Sequence, residues 1–271
     1  MRLRVLMGCL AALIAGCASS PALDGRTASE LDAVLASSHR SQANRARDVY
    51  RHPKETLLFF GIQPDMTVVE VWPGAGWYTE ILAPLLRENG KLYAAQLDPK
   101  ASEYSKNIVQ GYRAKLEGAP DLYDRVVVTT LAASSTDPIA PPASADLVVT
   151  FRNLHNWMMF GWEREAFEAM HEALKPGGIL GIVEHRGDPA LPQDPKAGSG
   201  YVNEGFAIEL IESVGFELID RSEINANPKD EKNYEKGVWT LPPTFAAGSE
   251  SRDRYAAIGE SDRFTLKFRK R

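Results

Sequence analysis

The sequence predicts an α/β domain built on a doubly wound, mostly parallel sheet. Runs rich in β-branched and apolar residues, bounded by turn residues, alternate with helical stretches. Most of these runs are apolar on both faces, as strands covered by helices on two sides must be. Between one such run and the helix after it lies Val68-Val69-Glu70-Val71-Trp72-Pro73-Gly74-Ala75-Gly76. Glycines at a strand-to-helix turn let the backbone approach a ligand closely, and ligands of such sheets sit at the carboxyl ends of the strands. The 271 residues suffice for one large core.

Along the chain, residues 31–50 are polar with apolar residues at Leu31, Val34 and Leu35, and read as one or two surface helices ending near His52-Pro53. Pro53, Lys54 and Glu55 open the next helix, Glu55 to Phe60, which Gly61 stops. Strands are expected over 67–72, 91–97, 125–131, 146–151 and 179–184. A helix with Ala166, Phe167, Met170 and Ala173 on one face ends at Lys175-Pro176-Gly177-Gly178. The stretch 77–87 is apolar at helical spacing, and Pro84 inside it is expected to kink or shorten the helix. Phe206, Leu210 and Val214 mark a helix stopped by Gly215, followed by strands over 216–224 and 263–268. In the last, Phe264, Leu266 and Phe268 alternate with polar residues, which predicts an edge or partly exposed pair. Segments 186–203 and 225–260 are rich in Pro, Gly, Asn and charge. Loops that long are functional covers or disordered; Trp239 to Pro243 in the second suits a lid, or equally a surface excursion packing its own small cluster.

The N-terminus reads as an export signal. Arg2 and Arg4 precede the apolar stretch 5–14, which is too short to span a bilayer. Leu13-Ile14-Ala15-Gly16-Cys17 resembles the lipobox of bacterial lipoproteins, which implies a signal peptide over 1–16 and lipidation of Cys17; a cleaved signal with an incidental Cys17 is the alternative. Cys17 would be the one mature cysteine, since Cys9 lies in the signal, and no internal disulfide could form. Residues 17–44 are then a tether, with Ser19, Ser20, Pro21 and Gly25, and an N-terminal helix; 45–271 form the domain. Removing 1–16 leaves 29 basic against 36 acidic residues, a balance suited to a body held beside an anionic membrane. No basic run tracks a phosphate backbone, so nucleic acid is not an expected partner. Ala18 after Cys17 is not the aspartate that retains such lipoproteins at the inner membrane, which places the protein at the cell envelope, lipid-anchored on the periplasmic face of the outer membrane.

The glycine turn after the first strand, Leu174 to Gly178 before a strand ending in Glu184, and a terminal strand pair split by a helix-Gly-Phe unit together resemble class I S-adenosylmethionine-dependent methyltransferases over about residues 45–271. The resemblance implies a seven-stranded Rossmann-like sheet with an antiparallel last strand. The chain also resembles a narrower group of exported, predicted methyltransferases that share Arg47-Asp48, His52-Pro53, Phe59 to Ile62, Trp72-Pro73-Gly74, Asn227-Pro228 and Leu266 to Arg269, and whose substrate is not established.

Carried over by position, Glu70 closes the first strand and orients the turn, while Gly74 and Gly76 pass under the methionine part of S-adenosylmethionine. Trp72 stands where the family has a glycine, and Pro73 removes a backbone donor. Gln96 stands where an acidic residue accepts from the ribose hydroxyls, with Asp98 on the same face as its expected substitute. Leu131-Ala132-Ala133 lacks the acid that follows the third strand.

Methyl transfer needs alignment, plus a base when the acceptor arrives protonated. Asn153, His155 and Asn156 follow the fourth strand and Glu184, His185 and Arg186 end the fifth, so the two clusters should face one cleft. His155 is the expected base because imidazole titrates near neutrality, with His185 second. His155, Glu184 and His185 also suit zinc or iron, although Glu184 and His185 should point to opposite faces of a continuing strand. His39 and His171 read as surface helix residues, and 47–52 as a turn or a cover for the pocket. Three functions follow: methyl transfer to a small molecule or envelope component, a ligand-binding module on a scaffold that has lost the cofactor, and a metal-dependent enzyme.

Overall fold

In the computed structural model, residues 21–271 are described except Ser134 and Glu250; the signal segment and Cys17 lie outside them. Helices α1 (Pro21–Ala36), α2 (Gln42–Arg45), α3 (Asp48–Arg51) and α4 (Pro53–Phe60) precede strand β1 (Thr67–Val71). Then come α5 (Thr79–Leu86), β2 (Lys91–Gln96), α6 (Glu103–Glu117), α7 (Pro120–Tyr123), β3 (Val127–Thr130) and β4 (Ala145–Phe151). The second half runs α8 (Leu154–Phe160), α9 (Glu163–Ala173), β5 (Leu174–His185), α10 (Glu204–Ser213), β6 (Phe216–Ser222), a 3-10 turn (Gly237–Thr240), α11 (Arg252–Ile258) and β7 (Arg263–Lys270).

The seven strands form one sheet in the order β3-β2-β1-β4-β5-β7-β6. Strands β1 to β5 pair in parallel, and β7 runs antiparallel to both β5 and β6. Strand parity sorts the core. Val69, Val71, Val148, Leu180 and Ile182 face Trp157, Phe167, Met170 and Ile211 of α8, α9 and α10. Val68, Leu92, Leu147, Val149 and Val183 face Leu31, Leu57, Phe60, Ile81 and Leu82 of α1, α4 and α5. Both faces are covered, which is why these strands read as unbroken apolar runs.

Several sequence expectations change. Pro21 and Gly25 lie in α1 rather than in a tether, because that helix docks through Leu31 onto the core formed with α4 and α5. The last strand is interior, since β6 takes the edge and Phe264, Leu266 and Phe268 are fully buried. Residues 175–178 belong to β5: they bulge between the paired residues Leu174 and Ile179 instead of preceding the strand. Helix α5 continues through Pro84. Proline has no N–H for the Glu80 carbonyl one turn back, and His39 Nε2 reaches that oxygen at 2.7 Å. His39 therefore sits in the turn after α1 with a structural partner, while His171 lies half-buried on α9 against Phe216.

The two long loops are closed onto the domain. Gly187 donates to the Val202 carbonyl and Val202 to that of His185, at 2.7 and 2.8 Å. The Tyr201 hydroxyl reaches Asp230 at 2.8 Å and joins one loop to the other. Trp239 packs 6.0 Å, centroid to centroid, from His155, so the second loop covers the end of β5.

Candidate functional site

The site begins where β1 stops. Trp72 (φ 48°), Gly74 (φ 58°) and Gly76 (φ 82°) all take left-handed backbone, so the chain turns sharply before α5. At Gly76 a Cβ would also meet the Tyr112 ring at 3.1 Å, so glycine is required there by conformation and by space. At Gly74 only the conformation demands it, because nothing lies within 4 Å of where a Cβ would be. Beneath the turn Glu70 is buried and accepts the Thr79 hydroxyl at 2.6 Å. Burial pushes its carboxyl up to about 7 despite that bond and the Lys115 ammonium.

Above the turn opens a cleft of about 350 Å³ at the carboxyl ends of β1 and β4. Glu70, Trp72, Gly74, Asn153 and Asn156 line it, as sequence position predicts. Asn153 is a strut: its Nδ2 donates to the Val71 carbonyl at 2.9 Å and ties β4 to β1. The opposite wall is aromatic and cationic. Tyr78 stacks on Phe151 with centroids 3.5 Å apart, and the Arg51 guanidinium lies 4.5 Å from the Trp77 ring centroid. Arg47, Arg51 and Arg152 reach the cleft, so the 47–52 segment does cover the pocket.

Two cofactor-side expectations, Gln96 and Asp98, fail geometrically. The Gln96 amide is spent on backbone: Nε2 donates to the Gly74 carbonyl at 2.9 Å and Oε1 accepts the Leu97 N–H at 3.0 Å. It braces the glycine turn instead of facing a ribose. Asp98 is outside the cleft lining and accepts the Lys100 N–H at 2.8 Å to close its own turn. The Trp72 indole swings toward β3, donates to the Leu131 carbonyl at 3.0 Å and packs against Trp157 and Trp162. The ring lies beyond the glycine turn, next to the Leu131-Ala132-Ala133 segment.

The two histidines come together, but behind the cleft. His155 opens α8 and turns back to β5, where its Nδ1 meets Glu184 Oε1 at 3.0 Å. The same carboxylate accepts the backbone N–H of His185 at 2.8 Å, and His185 Nδ1 pairs with the Ser261 hydroxyl. Neither imidazole lines the cleft, so neither stands where a base for a bound acceptor must be. Glu184 and His185 were expected on opposite faces. Instead the carboxylate curls over the end of β5, so ligand atoms of His155, Glu184 and His185 lie within 4.8 Å of one another.

That trio has the donors of a zinc or iron site, and the Glu184–His155 contact is the kind that orients a ligating imidazole. Its surroundings oppose added positive charge. His185 is held well below its ordinary range by burial first, then by His155 and by the Arg152, Arg263 and Arg51 guanidiniums. A hydrogen-bonded cluster bracing the ends of β4 and β5 fits this field better.

Position in sequence did not reveal the guanidinium cluster. Glu260, just before β7, bonds Arg47 Nε at 2.6 Å and contacts Arg51 Nε at 3.4 Å and Arg263 Nη2 at 3.2 Å. More than 200 residues separate Glu260 from Arg47 and Arg51, and only the Arg47–Arg51 spacing of one helical turn hinted at a shared face. Burial alone would raise Glu260, yet Arg51, Arg263 and Arg152 hold it down at about 2.

No family model and no curated relative matches the chain. Among solved structures, an S-adenosylmethionine-dependent methyltransferase from Aquifex aeolicus is similar with a TM-score of 0.56 and 17% identity, over 90% of this chain and 98% of that one. The [4+2]-cyclase SpnF is similar with a TM-score of 0.59 and 18% identity, over 87% and 85% of the two chains. CrArsM, an arsenic(III) S-adenosylmethionine methyltransferase from Chlamydomonas reinhardtii, gives 0.51 and 16% over 89% and 72%. At these identities the likeness establishes the fold of class I methyltransferases, which agrees with the strand order and the antiparallel β7. One of these neighbours is named for a cyclisation, so the fold does not fix the chemistry.

Proposed function

We propose that the protein transfers a methyl group from S-adenosylmethionine to a small molecule or envelope component. One observation carries this reading: the cleft opens at the carboxyl ends of β1 and β4 against a turn that holds Gly74 and Gly76 in left-handed backbone. The methionine half of the cofactor fits what is present. Glu70 offers a carboxylate for its ammonium, and the open side of Gly74 admits it without a side chain in the way. The bound sulfonium supplies an electrophilic methyl, so the chain's task is to align the acceptor. Asn156 and the wall of Tyr78, Phe151 and Arg152 would orient it. No imidazole is placed to take a proton, so an acceptor that arrives as a nucleophile suits the cleft.

Calorimetric titration of the purified protein with S-adenosylmethionine tests this. A dissociation constant on the order of 1–100 μM is expected, and absence of heat up to about 1 mM would defeat the proposal. The second reading, a ligand-binding module, is favoured by Trp72 and Gln96, whose side chains are committed to the protein itself. Under that reading the cleft takes a ligand but S-adenosylmethionine gives no heat. Metal in the His155–Glu184–His185 cluster is checked by elemental analysis of the same sample, where less than about one metal per ten chains counts against a resident ion.

We also propose that Cys17 carries a lipid anchor on the periplasmic face of the outer membrane. The lipobox-like stretch before it supports this. No helix among the described residues is long and apolar enough to cross a membrane. A Cys17→Ser variant is expected in the soluble fraction of lysed cells, and its retention in washed membranes would contradict the anchor.

A further inference from the structure

Five charged side chains meet beside the cleft: Arg47, Arg51, Arg152, Arg263 and Glu260. One carboxylate serves this whole group, and three of the guanidiniums already occupy it. Arg47 bonds one Glu260 oxygen, while Arg51 and Arg263 share the other. The Arg152 guanidinium makes no hydrogen bond and no contact ion pair among the described residues. Its backbone is fixed nonetheless. At φ 61° just past β4, its N–H donates to the Val183 carbonyl at 2.7 Å. A half-buried cation held in strained backbone, with Glu260 acting on it only from beyond contact distance, is costly, and strain of this kind gathers at ligand sites.

The donors left over point to what is missing. Arg47 and Arg51 spend only Nε on Glu260, so their terminal Nη atoms have no acceptor among the described residues. Both residues and Arg152 line the cleft, together with Asn156, whose side-chain amide has no hydrogen bond among the described residues. Arg51 is positioned by the Trp77 ring beneath it and is almost fully buried, so its orientation is set before any ligand arrives. Guanidinium forks of this kind match the planar or tetrahedral oxygens of carboxylates and phosphates.

We infer that Arg47, Arg51 and Arg152 form a receptor for an oxyanion, the carboxylate or phosphate of a ligand bound in this cleft. The inference rests on the cleft being the ligand site, as proposed above, and not on the reaction performed there. The electrostatics agree. Burial and then the neighbouring Arg152 push the Arg51 guanidinium well below its ordinary range, a mutual repulsion that an anion between them would relieve. The chain as a whole is acidic, with a net charge of −5, so this basic patch is a local arrangement and not the consequence of composition. With the Glu70 carboxyl on another wall, the cleft also offers oxygen acceptors and suits a zwitterion or an anion with a neutral reactive end.

Two sources could supply the oxyanion: the α-carboxylate of the methyl donor, or a second ligand such as an anionic acceptor. The probe is inorganic phosphate, titrated into the purified protein at constant ionic strength and followed by calorimetry or phosphorus NMR. Millimolar binding is expected, weakened at least about tenfold in Arg152→Gln. Arg47→Gln, which leaves Glu260 paired with Arg51 and Arg263, is expected to lose phosphate to a similar degree while melting as a folded protein. Repeating the titration with saturating S-adenosylhomocysteine separates the sources. Competition assigns the receptor to the donor's carboxylate, and simultaneous binding assigns it to the acceptor. If S-adenosylhomocysteine does not bind, methyl transfer fails while the phosphate result still stands by itself. Absence of phosphate binding up to about 50 mM, or binding unchanged in both variants, overturns the receptor.

Discussion

The indole N–H of Trp72 donates to the carbonyl of Leu131 at 3.0 Å and ties the turn after β1 to the segment after β3, across the intervening strand β2. The ring therefore sits where a ligand reaching from the glycine turn toward β3 would lie. Replacing it with glycine suits the left-handed backbone but removes a packed aromatic from Trp157 and Trp162. Trp72→Gly is expected to cost about 2 kcal/mol, less than a fully buried tryptophan because the ring is partly exposed and backbone strain is relieved. If the indole competes with the adenosyl half of the cofactor, S-adenosylhomocysteine binds the variant at least about tenfold tighter than the parent. Weaker binding would make the indole part of the cofactor's wall. A thermal melt and a calorimetric titration read both quantities.

Gln96 makes the opposite kind of contact, a brace instead of a plug. Its buried amide satisfies the Gly74 carbonyl and the Leu97 N–H together. Gln96→Leu leaves both backbone groups unpaired, at a cost of about 2 kcal/mol, and frees the turn. Gln96→Glu points a carboxylate at a carbonyl oxygen and is expected to destabilise as well. An acid that restored ribose recognition would instead tighten S-adenosylhomocysteine in Gln96→Glu, so the sign of that change decides between brace and ribose ligand.

Most of the sheet could be read from the chain because strand periodicity is local. Runs such as 67–72 and 146–151 carry their own pattern, and Gly61 and Gly215 mark where helices stop. Position along the fold also placed Glu70, Gly74, Asn153 and Asn156 on one cleft. Side-chain direction was not local. Whether Gln96 turns to a ligand or to Gly74 depends on a turn 22 residues away, and Trp72 finds its acceptor 59 residues on. His155 was misplaced for the same reason: Glu184 on the neighbouring strand draws it behind the cleft. The interior place of β7 escaped because Arg263, Thr265 and Lys267 read as solvent-facing. Arg263 and Thr265 are in fact buried, with the arginine on Glu260 and the threonine bonded to Asn225.

Glu260 is the counterion on which the arginine cluster depends. Removing its charge leaves Arg51, Arg152 and Arg263 facing one another in a buried site, and breaking such a group costs about 3–5 kcal/mol. Glu260→Gln is expected to lower the melting temperature by roughly 10 °C, and Arg152→Gln to leave it unchanged or raise it, because the Arg152 guanidinium has no hydrogen-bonded partner to lose and its removal relieves repulsion on Arg51. The acid limb follows from the same pair. Folding lowers the Glu260 carboxyl from its ordinary 4.5 to about 2. Its stabilisation is thus complete above pH 4.5 and is lost as pH falls from there toward 2. Denaturant midpoints measured across that window should fall more steeply in the parent than in Glu260→Gln, and parallel curves would count against the pairing.

Glu70 and His185 act in a higher window and with opposite signs. Burial raises the Glu70 carboxyl to about 7, so the folded state holds a proton there that the unfolded chain releases near 4.5. Its contribution is present below 4.5 and is lost as pH rises toward 7. Burial, His155 and the arginines hold His185 well below its ordinary 6.5, so the folded state keeps that ring neutral. Stability from this source is complete above 6.5 and falls as pH drops below it. Between pH 4.5 and 6.5 the two nearly oppose each other, and the parent protein should show a shallow dependence. Glu70→Gln removes one side of the opposition while keeping an acceptor for the Thr79 hydroxyl. Its stability should then rise distinctly with pH over this interval, as the His185 contribution alone requires. A variant curve as flat as the parent's would mean that Glu70 is already ionised at pH 5, and that the cleft floor carries its negative charge at every pH where the protein is folded.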